Sequence, residues 1–162
     1  MFRSIRLVAS VVAFASLAAV PALAVPHAGD SAPAFTLAKA SGGTLSSAQL
    51  RGKPAYLNFF ASWCAPCNAE AASVGDFYKK FHKRGLTVIG VNEQEDKSKA
   101  LGFAAKYHWP FPVVLDDGNM GKDYGAIALP VHIFIDKRGK VSTYRLGEMA
   151  PNEIEEAIQK IL

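Results

Sequence analysis

The chain has 162 residues, 18 Lys+Arg against 14 Asp+Glu, and is half apolar. That apolar share and a net charge of only +4 exclude a mainly disordered chain, and two cysteines exclude a disulfide-rich scaffold. No basic cluster of the nucleic-acid-binding kind occurs, and one domain is the expectation at this length.

The chain opens with Arg3 and Arg6, then an apolar run from Leu7 to Val20 broken only by serines, then Pro21-Ala22-Leu23-Ala24. A charged start, an apolar middle and a small-residue A-x-A site spell a secretory signal peptide over residues 1–24, cleaved after Ala24. The apolar run falls short of the roughly 20 residues that span a bilayer. An uncleaved anchor over Ile5 to Val25 is the alternative. The remaining domain, residues 25–162, then lies in an extracytoplasmic, periplasmic setting where disulfides persist.

Residues 26–33 form an irregular lead-in, and Ala34 to Ala38 a short strand. Ser41-Gly42-Gly43 makes a turn. Ser46 or Ser47 caps a helical turn to Leu50, closed by Gly52. Ala55 to Phe60 is an apolar, aromatic run, the pattern of a strand buried on both faces. A helix follows from about Cys64 to Arg84, with Val74, Phe77, Tyr78 and Phe81 on one face and Gly85 as terminator. Leu86 to Val91 is a second buried strand. Asp96 caps a helix over 97–108 whose inner face carries Leu101, Ala104, Ala105 and His108. Val113 to Leu115 is a short strand, and residues 120–124 are a short helix at most. Val131 to Ile135 and Val141 to Leu146 flank a hairpin turn at Asp136 to Gly139. Pro151 opens a last helix with Ile154, Ala157, Ile158 and Ile161 inward. Strands alternating with helices imply parallel pairs, and the closing hairpin adds an antiparallel edge. The expected fold is α/β, in three layers, with a mixed central β-sheet flanked by helices.

Trp63-Cys64-Ala65-Pro66-Cys67 lies where a buried strand gives way to a helix. Amides at a helix start are unpaired and carry partial positive charge. A thiolate there is stabilised, so Cys64 should ionise below the free value of about 8.5. Cys64, at the exposed end, is the expected nucleophile, and Cys67, one turn in, the resolving thiol. Pro66 is tolerated in the first turn. Trp63 offers a flat apolar platform. A purely structural bridge over so short a loop would stabilise by only about 2 kcal/mol. Zinc wants four ligands, and the four histidines form no close pair. Asn68 stands where haem attachment needs His. Leu57 and Ala61 stand where a peroxidatic site would have Pro and Ser or Thr.

The segment Asn58-Phe59-Phe60-Ala61-Ser62-Trp63-Cys64-Ala65-Pro66-Cys67-Asn68-Ala69-Glu70 resembles the active-site segment of TlpA/ResA-type extracytoplasmic thioredoxin-like proteins, in the AhpC/TSA–Redoxin branch of the thioredoxin superfamily. Gly29 to Phe35 resembles the family's entry segment, Val88 to Asn92 its second core strand, and Phe111 to Asp116 and Leu129 to Asp136 its later landmarks, all in order. The resemblance implies a thioredoxin-like fold with an N-terminal extension of short strands. It implies a thiol–disulfide oxidoreductase that reduces protein disulfides, with Cys64–Cys67 as its redox centre and no other cofactor. Pro130 matches the family's cis-proline facing the cysteine pair. Leu129 and Val131 would then meet the substrate chain, with Trp63 beside them. Glu70 matches a carboxylate that influences cysteine titration; from the residues alone it is either that or a favourable acid early in a helix. The implied partners are protein disulfide substrates and a membrane electron donor of the DsbD/CcdA type, with the chain a monomer.

His132 departs from the family pattern, which places small hydroxyl residues after the proline. It is either a satisfied core histidine or a group that reaches the sulfurs. A second reading of the whole chain is an extracytoplasmic copper-delivery protein holding Cu(I) on the thiolates of Cys64 and Cys67, with His132 or a Met as a further donor. Tyr107-His108-Trp109 reads as core packing. Asp116-Asp117 and Glu93 to Asp96 read as solvated turns, with Glu95 able to approach the site.

Overall fold

The structure, a computed structural model, describes residues 25–162. The signal-peptide expectation for residues 1–24 falls outside the described residues. Within them lie β1 (Thr36–Lys39), β2 (Thr44–Ser46), β3 (Ala55–Phe60), α1 (Ala65–Phe81), β4 (Thr87–Glu93), α2 (Lys97–Lys106), β5 (Val113–Asp116), α3 (Asn119–Asp123), β6 (Val131–Ile135), β7 (Val141–Leu146) and α4 (Pro151–Ile161). Short 3-10 turns occupy Ser47–Leu50 and His82–Arg84. Gly85, at φ 99°, ends the α1 segment as its sequence position suggests.

One seven-stranded sheet runs in the order β2-β1-β5-β4-β3-β6-β7. The pairs β3–β4 and β4–β5 are parallel, and β3–β6 and β6–β7 antiparallel. Every residue of β3 is buried, because it sits centrally with helices or loops over both faces. Alternation along β3 splits the core in two. Tyr56 and Phe60 join α1, α2 and α4 residues on one face. Leu57 and Phe59 join Ile133, Met120 and Tyr124 on the other. α4 buries Ile154, Ala157, Ile158 and Ile161 on the first face. At about 1.5–3 kcal/mol per buried isoleucine, that stripe fixes the helix more than its propensity does.

Several expectations shift. β1 starts at Thr36 rather than Ala34; the Phe35 amide is taken by the Ser47 hydroxyl at 3.2 Å. β2 was not expected in the chain order, though the resemblance implied short strands before the core. α2 ends at Lys106, and its buried residues are Ala100 and Phe103, while Leu101 is 40% exposed. Its inward face is therefore rotated from the expected one, because Phe103 stacks between Phe60 and Trp109. Trp109 is core, but His108 is exposed at φ 51°, where the chain reverses out of the helix.

Candidate active site

Cys64 is the N-cap of α1, with extended φ/ψ of −76° and 111° and Pro in the first turn. Its Sγ accepts a hydrogen bond from the Cys67 amide at 3.2 Å. The helix thus points an unpaired N–H at this sulfur, as its place in the sequence requires. Cys64 and Cys67 form a disulfide. They are 4% and 2% exposed, so exposure does not separate the two; helix position does. Trp63 is 72% exposed next to them.

Two side chains clamp the turn that carries Trp63. The Asn68 amide donates to the Ser62 and Cys64 carbonyls at 3.0 and 2.8 Å. Its carbonyl oxygen accepts from the Tyr107 hydroxyl at 2.7 Å, tying the turn to the end of α2. Glu95 accepts from the Ser62 amide at 2.6 Å and the Ser62 hydroxyl at 2.5 Å. Burial raises the Glu95 carboxyl, but the donors on Ser62 and Asn92, with Lys99, outweigh it and hold it below the ordinary range. Glu95 does approach the site.

The Leu129–Pro130 bond is cis. β6 begins at Val131, paired with Phe59 near the end of β3 from which the cysteine turn departs. Antiparallel pairing therefore brings Pro130 to the same end of the sheet as Cys64. Leu129 is half-buried against both halves of the core. The Val131 side chain is fully buried, so only its backbone is left to meet a partner chain. A cleft of about 240 Å³ lies between Trp63, Leu129 and Ile127, and Ile127 is 84% exposed.

Glu70 is buried, one turn after Cys67 on α1. The Asn58 amide donates to its Oε1 at 3.4 Å, and the Met149 backbone amide to its Oε2 at 3.3 Å. His132 Nε2 stands 3.2 Å from Oε1, close enough for attraction but off the line of a hydrogen bond. His132 Nδ1 meets the Tyr56 hydroxyl at 2.8 Å. His132 is thus a core histidine with partners, and the ring faces Tyr56 and Glu70. Burial, then the Glu70 carboxylate, push the Tyr56 hydroxyl well above its ordinary value, against the Asn58 hydrogen bond. Asn58 and Tyr56 were not singled out from the sequence. Cross-strand pairing of Asn58 with His132 is the signal that finds them.

Two acids read as solvated are not. Asp116 is 3% exposed, and its carboxylate accepts from the Met120 and Gly121 amides at 3.0 and 2.7 Å. Glu93, paired in register with Asp116, is also buried. Burial first, then Asp116 and Asp117, push its carboxyl up to about 8. Both differ from expectation because parallel strands β4 and β5 end side by side and turn these acids beneath α3.

A disulfide-bonded cysteine pair at the N-terminus of the first long helix, with a cis-proline at the same end of the sheet, is the arrangement of a thioredoxin-like disulfide-exchange site. The chain belongs to the Redoxin family, whose profile matches residues 27–161. It is 34% identical over 134 residues to the thiol-disulfide oxidoreductase ResA of Bacillus thuringiensis subsp. konkukian, covering 82% of this chain and 78% of that one. The ResA of Geobacillus thermodenitrificans is 33% identical, over 82% and 77%. A putative thiol:disulfide interchange protein DsbE from Chlorobium tepidum superimposes with a TM-score of 0.78 at 29% identity, over 84% of this chain and 98% of that one. A secreted Mycobacterium tuberculosis disulfide oxidoreductase, homologous to E. coli DsbE, gives 0.71 at 28%, over 78% and 95%. The chain is a thiol–disulfide oxidoreductase of thioredoxin-like fold.

Proposed function

We propose that the chain reduces disulfides of other proteins outside the cytoplasm. The observation that carries this reading is the Cys67 amide aimed at Cys64 Sγ at a helix start. In the reduced protein that donor favours a Cys64 thiolate. The thiolate attacks one sulfur of a substrate disulfide, forming a mixed disulfide and releasing the other substrate sulfur as a thiolate. Cys67 then loses its proton to Glu70. Its sulfur attacks Cys64 Sγ, closing Cys64–Cys67 and expelling the second substrate thiolate, which takes a proton from solvent. Two electrons pass from the pair to the substrate. A membrane thiol donor of the DsbD/CcdA type returns them.

Trp63, Ile127 and the backbone at Leu129–Val131 receive the substrate chain, and Pro130 fixes that backbone. The 1–24 leader supports export and a periplasmic location. The copper-delivery reading places Cu(I) on Cys64 and Cys67, with His132 or a Met as a further donor, and the His132 ring nitrogens are turned to Tyr56 and Glu70. Among the described residues no group of three His, Cys, Asp or Glu side chains gathers as a metal site. No helix among them is long and apolar enough to cross a membrane.

A Cys67→Ser variant incubated with a disulfide-bonded peptide tests the order of attack. It should accumulate a one-to-one adduct on Cys64 by mass spectrometry; an adduct at no defined cysteine contradicts the assignment. Equilibration of the wild type with thiol buffers tests the direction. A potential near thioredoxin's, about −270 mV, is expected, whereas one near the strong oxidants at about −120 mV reverses it.

A further inference from the structure

The groups beneath the cysteine pair form a chain with a direction. Asn58, Tyr56, Glu70 and His132 are all buried, and they come from β3, α1 and β6. The Tyr56 hydroxyl keeps its proton, because burial and Glu70 both oppose its ionisation. The Asn58 amide donates to the Tyr56 oxygen at 3.3 Å. The Tyr56 O–H is then free to donate to His132 Nδ1 at 2.8 Å. An imidazole that accepts at Nδ1 carries its proton on Nε2. That nitrogen lies 3.2 Å from Glu70 Oε1, off the hydrogen-bond line but close enough to attract the carboxylate. One tyrosine hydroxyl therefore selects the tautomer that offers the carboxylate a proton-bearing nitrogen.

We propose that His132, oriented by Tyr56, is a positioning residue for resolution: it holds Glu70 as the carboxylate that accepts the Cys67 thiol proton. This rests on the role given to Glu70 above. The step is the one already balanced: the Cys67 S–H bond breaks, the proton passes to Glu70, and the Cys67 sulfur closes the disulfide. His132 does not touch the sulfur chemistry; its proton-bearing nitrogen lies beside Glu70 Oε1 and favours the charged carboxylate by attraction.

The charged and titratable groups around the imidazole are few. α1 contributes Glu70, β3 contributes Tyr56, and β7 contributes Arg145, the cross-strand partner of His132. Arg145 points outward and pairs with Glu153 of α4 at 3.3 Å. Glu70 is therefore the acid that faces the ring.

The test follows reduced protein reacting with an aromatic disulfide such as dithionitrobenzoate by stopped flow. The first, bimolecular release of thionitrobenzoate reads attack by Cys64. The second, independent of reagent concentration, reads resolution by Cys67. His132→Leu should slow the second phase about tenfold near neutrality, move its acid limb to higher pH, and leave the first phase unchanged. His132→Gln, whose amide can present an N–H at similar reach, should restore most of the rate. Tyr56→Phe keeps the ring stacked on Phe134, so it provides a second variant with the core packing intact, and should shift the second phase in the same direction. In a Glu70→Gln background the His132 substitutions should change nothing further. A second phase insensitive to both His132→Leu and Tyr56→Phe overturns the inference, as does an equal effect with Glu70→Gln present. A second phase insensitive to Glu70→Gln itself overturns the role given to Glu70, and the inference with it.

Discussion

Two buried glutamates occupy opposite kinds of surroundings in this molecule. Glu70, beneath the cysteine pair, is met by the Asn58 amide, the His132 ring and the Met149 backbone amide. Glu93, at the end of β4, is met by Asp116, and its Oε1 has no hydrogen-bond partner. Asp116 cannot stabilise a charged Glu93: ionised and held by the amides that start α3, it has no proton to donate and repels a second negative charge. Burial of an ionised carboxylate is costly unless donors surround it; otherwise the group keeps its proton. The comparison teaches that the sheet holds two buried carboxyls in two ways, one met by two amide donors and an imidazole, and one that retains its proton up to about pH 8.

The largest expected effect breaks the redox side altogether. Cys64→Ser should abolish reduction of a disulfide substrate in a turnover assay, while leaving the melting temperature within a few degrees of the reduced wild type.

Next is the acid that supports the Glu93 side. Asp116→Ala leaves the Met120 and Gly121 amides without their acceptor and should cost about 2 kcal/mol in urea unfolding at pH 7. It should also let Glu93 titrate below its value of about 8, because a repelling charge is gone. An unchanged urea midpoint contradicts the capping role.

Glu93→Gln then reads the retained proton directly. The folded value of about 8 lies above the ordinary 4.5, so the native state holds a proton that the unfolded chain has released. Stability from this group is present below about pH 4.5 and is lost as pH rises toward 8. Thermal melts should show the variant matching wild type at pH 4 and exceeding it by several degrees or more at pH 9. Parallel curves across that range contradict a protonated Glu93.

The smallest effect belongs to Glu95, which is half-buried against the Ser62 turn. Its carboxyl is held below the ordinary range, so its contribution is present above that range and fades as pH falls through the lowered value. Glu95→Gln should lower the melting temperature by about 1–2 °C at pH 7 and by nothing measurable at pH 2.

The redox side of this comparison was largely legible in the sequence. Trp63, Cys64 and Cys67 sit at a strand-to-helix junction that local periodicity marks, and helix-start physics alone gives Cys64 its role. Pro130 and Glu70 needed the family resemblance, since proline isomer and thiol proximity are not local properties. The rest depended on pairing across long stretches of chain. Tyr56 and His132 meet across strands 76 positions apart. Glu93 and Asp116 looked like solvated turn residues because each ends an apolar run; only the β4–β5 register brings them together. β2, at three residues, is too short to carry a strand signal. The rotated face of α2 follows from where the Phe60 and Trp109 rings lie, which no helical period encodes.

The account rests on a first sulfur that ionises readily once the bridge is opened. The pH dependence of iodoacetamide alkylation of reduced Cys67→Ala protein measures this on Cys64 alone. A rate midpoint clearly below the free-cysteine value of about 8.5 is the expected result. A midpoint at or above that value, with alkylation no faster than in the unfolded chain, would contradict it.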